Sequence, residues 1–337
     1  MRTKEELRAA VEAAVWAPSP HNTQPWSFAL EEGEISLRSD TDRLLRVADA
    51  AGRELLLGCG AALFNIRTAL RAMGHRPVVR VLPDPDRPAL LATVRLGPDE
   101  EADEDVRVMN AEIPRRRTHR AGFLPDPVSG DLLDTLVGEA RAEGARLTPV
   151  GSEAAARILA AVTAAAQDVQ ARDRAFTLEI VRWGRPPGSR HMDGVPADAY
   201  PGEPGRTWPH FAQRDYTAGR AWGTGEDRQE AVETGVVALL TTPGDAPEDW
   251  IAAGQALQRV LLRASAHDVT AAFHTQALEN HHLREFVRHE LCSGEFPQMI
   301  LRLGHAPGRT RGVRRPLGEV LQESEGPEDD GTSVPEG

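Results

Sequence analysis

The sequence predicts an α+β fold, and three observations point to this class. Strands alternate with helices along the 337 residues, each half of the chain begins with helices, and neighbouring strands form antiparallel-looking hairpins. The last two features favour an α+β protein over a doubly wound parallel sheet.

The first half shows the pattern clearly. Residues 4–17 carry apolar side chains at helical spacing, and Pro18 ends this helix. Residues 26–30 and 35–38 predict a hairpin, and strands are expected at 78–82 and 90–96. Residues 52–73 are strongly apolar and rich in small side chains, which is typical of a buried helix packed closely against a partner.

The second half predicts further helices and strands around an unusual insert. We expect helices at 99–117, 132–142, 152–181, 249–267 and 281–292, and strands at 147–150, 236–242, 269–273 and 297–303. Residues 184–225 combine prolines and glycines with many of the aromatics, too many for a plain disordered linker. The tail from 322 to 337 is acidic and is expected to be disordered.

Composition limits the function classes. The net charge of -12 argues against a nucleic-acid binder, because phosphate neutralisation requires a basic surface. Two cysteines exclude a disulfide framework and a cysteine-rich zinc site. The histidines at 281, 282 and 289 match no metal-ligand spacing, so no metal is expected. The amphipathic N-terminus has no signal-like apolar region and no stretch approaches a membrane span, which predicts a cytoplasmic protein without membrane contact.

A polar loop at residues 18–25 is the first candidate site. Prolines stiffen it, and Ser19, Asn22 and Gln24 offer hydrogen-bonding groups between a helix end and a strand start. Such a loop suits the planar surface and polar edge of a flavin ring. The alternative is an ordinary capped connection between a helix and a strand.

Two basic segments are candidate phosphate sites. Arginines surround a hydroxyl in the segment 114–123, which contains Arg116, Thr118 and Arg120. A second cluster at 309–317 includes Arg314 and Arg315. Guanidinium groups beside a hydroxyl can hold a phosphate through charge-assisted hydrogen bonds. The alternatives are a solvated basic helix end for the first segment and a basic tail for the second.

Together these segments resemble the nitroreductase family of FMN-binding proteins. The family's Pro-Ser-x-x-Asn-x-Gln-Pro-Trp loop is matched at 18–26, its arginine-rich phosphate segment at 116–120, and its C-terminal Gly-x-Pro and Arg-x-Pro stretch at 304–316. The segments 52–56, 59–63, 116–120 and 193–196 are similar to the Acg-type branch. The resemblance covers about residues 5–321 and implies a nitroreductase-like fold with two related halves.

The resemblance also implies roles for individual residues around FMN. Ser19, Asn22 and Gln24 would face the isoalloxazine and ribityl groups, while Arg116, Thr118 and Arg120 would hold the phosphate with Arg314 or Arg315. His274, Thr275 and Gln276 would lie near the flavin N5 and O4. No catalytic residue is assigned. Glu54 and Glu279 are candidate acid/base groups, but nothing in the sequence indicates an altered pKa.

The order of the motifs predicts one composite flavin site per chain. In ordinary members of the family the arginine segment precedes the Pro-Ser loop within each subunit, and two subunits share two flavins. Here the loop stands near residue 20 and the arginines near residue 116. We therefore expect a fused pseudo-dimer with halves at 1–110 and 111–321, present as a monomer or weak dimer.

Three functions remain open from the sequence. The first is an FMN-dependent oxidoreductase with NAD(P)H as donor and a nitro, quinone or biosynthetic acceptor. The second is a flavin-storage protein with little turnover, in which the 184–225 insert forms a lid with Trp208, Phe211, Tyr216 and Trp222 over the ring. The third is a flavin-dependent dehydrogenase in a biosynthetic pathway.

Overall fold

A computed structural model describes residues 2–201, 207–217, 219, 223–225, 231–308, 310 and 312–323. Helices and sheets segregate within it, which confirms the α+β prediction. The helices are α1 (Arg2–Ala14), α2 (Arg53–Ala72), α3 (Glu104–Glu112), α4 (Gly130–Ala142), α5 (Glu153–Arg172), α6 (Arg174–Trp183), α7 (Pro247–Ser265), α8 (Gln276–Glu279), α9 (His281–Leu291) and α10 (Leu317–Val320).

The strands form two main sheets and one short pair. They are β1 (Trp26–Glu31), β2 (Glu34–Ser39), β3 (His75–Val81), β4 (Leu90–Asp99), β5 (Arg146–Pro149), β6 (Gly184–Arg185), β7 (Val195–Pro196), β8 (Val236–Thr242), β9 (Val269–Phe273), β10 (Phe296–His305) and β11 (Leu321–Glu323). The first sheet has the order β11-β1-β2-β4-β3, and the second the order β5-β8-β10-β9. Strands β6 and β7 pair within the insert.

The first sheet joins the two ends of the chain. Strands β1 to β4 pair in antiparallel fashion, whereas β11 adds parallel to β1 with Phe28 opposite Leu321. Lys4 and Arg8 of α1 form ion pairs with Glu323 at 3.1 and 2.6 Å. The prediction that the disordered tail starts at residue 322 is therefore wrong, because strand pairing extends through Glu323; residues 324–337 lie outside the described residues.

The second sheet lies wholly within the predicted second half and is antiparallel throughout. Helix α3 runs across the predicted boundary at residue 110. The predicted helix over 152–181 is instead two helices, α5 and α6, because Asp173 adopts an extended conformation. Its carboxylate accepts hydrogen bonds from the backbone N–H groups of Ala175 and Phe176, which begins a new helix there.

The core centres on helices α2 and α7, which pack against each other. Apolar side chains of α2 cover the first sheet and those of α7 cover the second. A Cβ atom on Gly60 would lie 2.2 Å from the carbonyl oxygen of Ile251, and one on Gly254 would lie 2.0 Å from that of Leu57. The small residues of α2 thus permit close backbone contact, as the composition predicts.

Helix α2 is also long and apolar enough to span a membrane by length and composition, contrary to our expectation that no stretch would be. In the structure 78% of its apolar window is buried inside the protein. The apolar composition is explained by this central position between the two sheets.

Candidate functional site

A cavity of about 280 Å³ lies between the two halves, over the N-terminal part of α2. Its walls come from the 18–21 loop, from the 118–120 segment, and from insert residues 212–217. Glu54 and Gly58 of α2 form another wall, and Thr275 with Gln276 closes the end near β9. A smaller cavity of about 40 Å³ shares four lining residues with it: Pro18, Ser19, Thr118 and Arg120. The two cavities therefore adjoin.

The 18–25 loop reaches the cavity in an unusual backbone conformation. His21, Asn22 and Gln24 have positive φ values of 48°, 55° and 51°, a region that residues other than glycine seldom occupy. The Ser19 hydroxyl accepts a hydrogen bond from the Gln24 backbone N–H at 2.9 Å. Gly58 of α2 lies directly beneath, since a Cβ there would be 3.4 Å from that of Ser19. Hydrogen bonding and close packing together hold the loop in this strained form.

The smaller cavity is lined by the buried guanidinium group of Arg116 and by that of Arg314, which is partly exposed but has a buried Nε. Within the described part of the chain, Arg116 Nε and Nη1 and Arg314 Nε have no hydrogen-bond partner. The hydrogen bonds that these two groups do make go to uncharged acceptors. Arg116 Nη2 and Arg314 Nη2 donate to the Trp16 carbonyl oxygen at 3.4 and 3.1 Å, and Arg314 Nη1 donates to the Val313 carbonyl oxygen at 2.7 Å. Burial lowers the pKa of Arg116 to about 9 and that of Arg314 well below its usual value, and neighbouring arginines add to both effects.

Buried, unpaired guanidinium donors are costly unless an anion satisfies them. Thr118 and Arg120 line the same cavity. The backbone of this segment is fixed to the edge of the second sheet, where the His119 N–H donates to the Ala271 carbonyl at 2.9 Å. The cluster fits a phosphate group by charge, by burial and by its unused donors.

Asn22 also lines the smaller cavity, and it links the two halves. Its side-chain oxygen accepts a hydrogen bond from Arg314 Nη1 at 3.1 Å, and its side-chain nitrogen donates to the carbonyls of Gly194 and Val313. Asn22 therefore positions Arg314 as well as bordering the cavity.

Gln24 and Arg315 occupy places that differ from the prediction. The Gln24 side chain is fully buried, accepting from the Arg315 backbone N–H at 2.8 Å and donating to the Met192 carbonyl at 2.9 Å. The Arg315 side chain contacts Glu319 and the Gln24 carbonyl. Neither residue lines either cavity. Both hold the loop in place, and of the two arginines Arg314 and Arg315 it is Arg314 that lines the smaller cavity.

The 274–276 segment is divided between the cavity and the core. Thr275 and Gln276 line the larger cavity, and the buried side-chain oxygen of Gln276 has no hydrogen-bond partner among the described residues. His274 instead turns into the core, where its Nε2 accepts a hydrogen bond from Arg302 Nε at 2.8 Å. His274 is therefore the buried partner of Arg302 and does not line the larger cavity, whereas the resemblance placed it near the flavin N5 and O4.

The insert covers the cavity with one of the predicted aromatics, Tyr216, and with a second tyrosine that was not predicted. Tyr216 lines it, together with Tyr200, whereas Phe211 is buried against His274 with ring centroids 4.9 Å apart. Trp208 is 74% exposed and contacts Arg157, so it is not part of the cover. Trp222 lies outside the described residues.

Sequence reasoning missed His21, which lies between the loop and the insert. Its Nδ1 is 3.0 Å from the Tyr216 hydroxyl, and its Nε2 is buried without a partner. Burial, followed by the charges of Arg214 and Arg120, lowers the pKa of His21 well below its usual value, so the ring is neutral. Its partner stands 195 positions away in the chain, and no local pattern could have indicated the contact.

Glu54 and Glu279 are the two acid/base candidates of the sequence, and the structure adds Arg214, which sequence reasoning missed. Arg214 of the insert pairs with Glu279 of α8, which fastens the insert across the site. Glu54 lies beside them, and burial together with the Glu279 charge raises its pKa to about 8. These contacts connect residues far apart in sequence, so the pKa of Glu54 could only be assessed from the fold.

No family model matches the chain. Two Mycobacterium tuberculosis H37Rv proteins, both named as putative NAD(P)H nitroreductases, are similar over nearly its full length. Rv3131 is 34% identical over 94% of this chain and 91% of its own length. Acg is 29% identical over 95% of this chain and 96% of its own. The chain therefore belongs to the nitroreductase family. This confirms the resemblance to that family and to its Acg-type branch that the sequence motifs predicted.

Solved structures give weaker matches. A nitroreductase with bound FMN from Desulfitobacterium hafniense DCB-2 aligns at 15% identity with a TM-score of 0.36, over 66% of this chain and 99% of that one. The FMN- and NADPH-dependent nitroreductase NfnB from Sphingopyxis sp. strain HMH aligns at 20% identity with a TM-score of 0.37. This alignment covers 64% of this chain and 99% of the NfnB chain.

Proposed function

We propose that the protein is an FMN-dependent oxidoreductase that takes electrons from NAD(P)H. One observation carries the proposal: an anion pocket with unpaired donors on Arg116 and Arg314 adjoins a larger cavity that could hold a planar ring. A phosphate-bearing ring cofactor has this combination of shape and charge. Membership of the nitroreductase family, and the NAD(P)H nitroreductase names of Rv3131 and Acg, support the same cofactor and donor.

The residues present fit FMN. Arg116 and Arg314, with Thr118 and Arg120 at the junction, would hold the phosphate through charge-assisted hydrogen bonds. Ser19 and the backbone of the loop would border the ring, and the unpaired Gln276 side-chain oxygen would accept a hydrogen bond from its polar edge. When bound, FMN supplies hydride transfer. The protein positions the reactants and excludes water, with a neutral His21 on one side.

A flavin-retaining protein with little turnover is the second candidate. It is favoured by the contacts that hold the insert over the cavity, namely the Tyr216 hydroxyl on His21 and the ion pair of Arg214 with Glu279. If the insert does not open, nicotinamide cannot reach the ring. The acceptor of the first candidate is a nitro compound, a quinone or a biosynthetic intermediate. It too can reach the ring only if the insert opens.

One experiment tests both candidates. The purified protein is loaded with FMN, its visible spectrum is recorded, and NADPH is added without oxygen, with NADH in a parallel sample. We expect the flavin band to bleach within seconds. A yellow protein that only dithionite bleaches would support retention instead. A colourless protein that does not bind added FMN would contradict both proposals.

A further inference from the structure

Glu54 presents a carboxyl group to the larger cavity from the first turn of α2. Its side chain is 7% exposed and lines the cavity wall. One oxygen, Oε1, accepts a hydrogen bond from Arg53 Nη2 at 2.9 Å. Among the described residues, the other oxygen has no hydrogen-bond partner. The group is therefore buried, fixed on one side and accessible to a bound molecule on the other.

The charges around Glu54 do not balance if all are ionised. Three carboxyl groups, on Asp49, Glu54 and Glu279, interact with two guanidinium groups, on Arg53 and Arg214. Full ionisation would leave one excess negative charge in a buried volume, which is unfavourable where water cannot solvate it. Uptake of one proton makes the cluster neutral.

Asp49 is an unsuitable carrier of that proton. Its two carboxylate oxygens accept hydrogen bonds from the backbone N–H groups of Glu54 at 3.0 Å and Leu55 at 2.8 Å. It thereby satisfies the N-terminus of α2, and both contacts favour the ionised form.

Glu279 is held still more firmly in its ionised form. It pairs with Arg214, and its oxygens accept hydrogen bonds from the Thr275 hydroxyl at 2.7 Å and from Gln170 Nε2 at 2.9 Å. In the described ranges of the chain, the Glu54 carboxyl group is hydrogen-bonded to Arg53 alone, and Arg53 also donates to the Gln298 carbonyl at 2.7 Å. By elimination the proton resides on Glu54.

The pKa values of Glu54 and Asp49 agree with placing the proton on Glu54. Burial and the Glu279 charge raise the pKa of Glu54 to about 8 against the opposing effect of Arg53, and the Asp49 charge adds to the rise. The pKa of Asp49, also raised by burial, reaches only about 6, since backbone hydrogen bonds favour its ionised form. Glu54 is therefore the last of the two to ionise.

We propose that Glu54 is the catalytic acid of this site, and that it delivers its proton to an acceptor bound in the larger cavity. This rests on the proposed flavin-dependent function. Reduction of a quinone to a hydroquinone takes one hydride, supplied by the reduced cofactor, and one proton. The O–H bond of Glu54 breaks as the new O–H bond on the acceptor forms, and the carboxylate then regains a proton from water.

The first test follows oxidation of the reduced protein. FMN-loaded wild-type protein is reduced with dithionite and mixed anaerobically with 1,4-benzoquinone across a pH series. The rate should fall about tenfold per pH unit above about pH 8. Glu54→Gln should bind FMN normally, react at least about 100-fold more slowly and lose this pH dependence, and Glu54→Asp should recover part of the rate. Glu153→Gln, an exposed site on α5, is the control and should match wild type.

The second test needs no flavin. The infrared spectrum of the apoprotein near pH 7 should contain a protonated-carboxyl C=O band that Glu54→Gln removes and that titrates near pH 8. Absence of this band, or a Glu54→Gln protein that is reoxidised at the wild-type rate and pH dependence, would overturn the proposal. Failure of the wild type to bind FMN, with the band present, would count against the proposed function and not against the proton on Glu54.

Discussion

At the scale of single residues, the anion pocket contains buried charged groups that lower the stability of the protein when no ligand is bound. A buried, protonated arginine without a partner destabilises the folded apoprotein, because its charge has left water without compensation. Burial accordingly lowers the pKa of Arg116, whose Nε and Nη1 have no partner among the described residues, to about 9. The same unpaired donors would be satisfied by a phosphate, so ligand affinity and apoprotein stability are expected to change in opposite directions when the side chain is removed.

Arg116→Met tests whether ligand affinity and apoprotein stability change in opposite directions. The substitution should weaken FMN binding by roughly 10- to 150-fold, the loss of one charged hydrogen-bonding group at about 1.5–3 kcal/mol, while raising the melting temperature of the apoprotein. Fluorescence titration and calorimetry measure the two effects. Arg115→Met is the matched control, because Arg115 is exposed and pairs with Glu112; it should change neither quantity much. Unaltered affinity for Arg116→Met would place the phosphate elsewhere.

Glu54 predicts how stability depends on pH. Its pKa is raised from 4.5 to about 8 by folding, so the folded state binds the proton more tightly than the unfolded state. The contribution of the Glu54 proton to the free energy of unfolding is fully present below about pH 4.5 and is lost as the pH rises to about 8. Over this range the free energy of unfolding falls by up to about 1.4 kcal/mol per pH unit. Urea unfolding of the apoprotein across this range should show the decline, and Glu54→Gln should flatten it. An equal slope in both proteins would contradict the raised pKa.

At the scale of elements, the contact of α2 with α7 sets the spacing between the two halves and so the width of the cavity. Its closest approach depends on Gly60 and Gly254, whose absent side chains leave room for the facing backbone. Glu54 and Gly58 border the cavity from the same helix, one turn apart. A change in helix spacing would therefore reach the site directly.

Gly60→Ala should destabilise the protein by about 1–3 kcal/mol or more, since its Cβ would lie 2.2 Å from the Ile251 carbonyl oxygen and force the helices apart. Gly138→Ala is the control. Gly138 lies within α4 with open space around its Cβ position, so alanine should be neutral or stabilising by up to about 1 kcal/mol. Urea unfolding compares them, and equal stability of the two variants would mean that α2 and α7 can separate at no cost.

At the scale of the whole molecule, the sequence predicted the features that depend on the local pattern of residues. The fold class, most helix and strand positions and the arginines of the anion pocket follow from periodicity and charge. The turn of His274 into the core towards Arg302 could not be predicted, because a local pattern does not show to which side a residue at a strand end turns. The hydrogen bond between His21 and Tyr216 and the charge repulsion between Glu54 and Glu279 join residues about 200 positions apart, so only the folded chain reveals them.

The composite site predicts the flavin content of the molecule. The loop around Ser19 comes from the first half, and the anion pocket is completed by Arg116 and Arg314 of the second, all within one chain. We therefore expect one FMN per chain, bound by a monomer or weak dimer, with a ratio that does not change on dilution. Flavin released by denaturation, measured against protein concentration, gives the ratio, and light scattering gives the mass. A ratio near two would require a second pocket, and loss of FMN on dilution into monomers would mean that a partner chain completes the site.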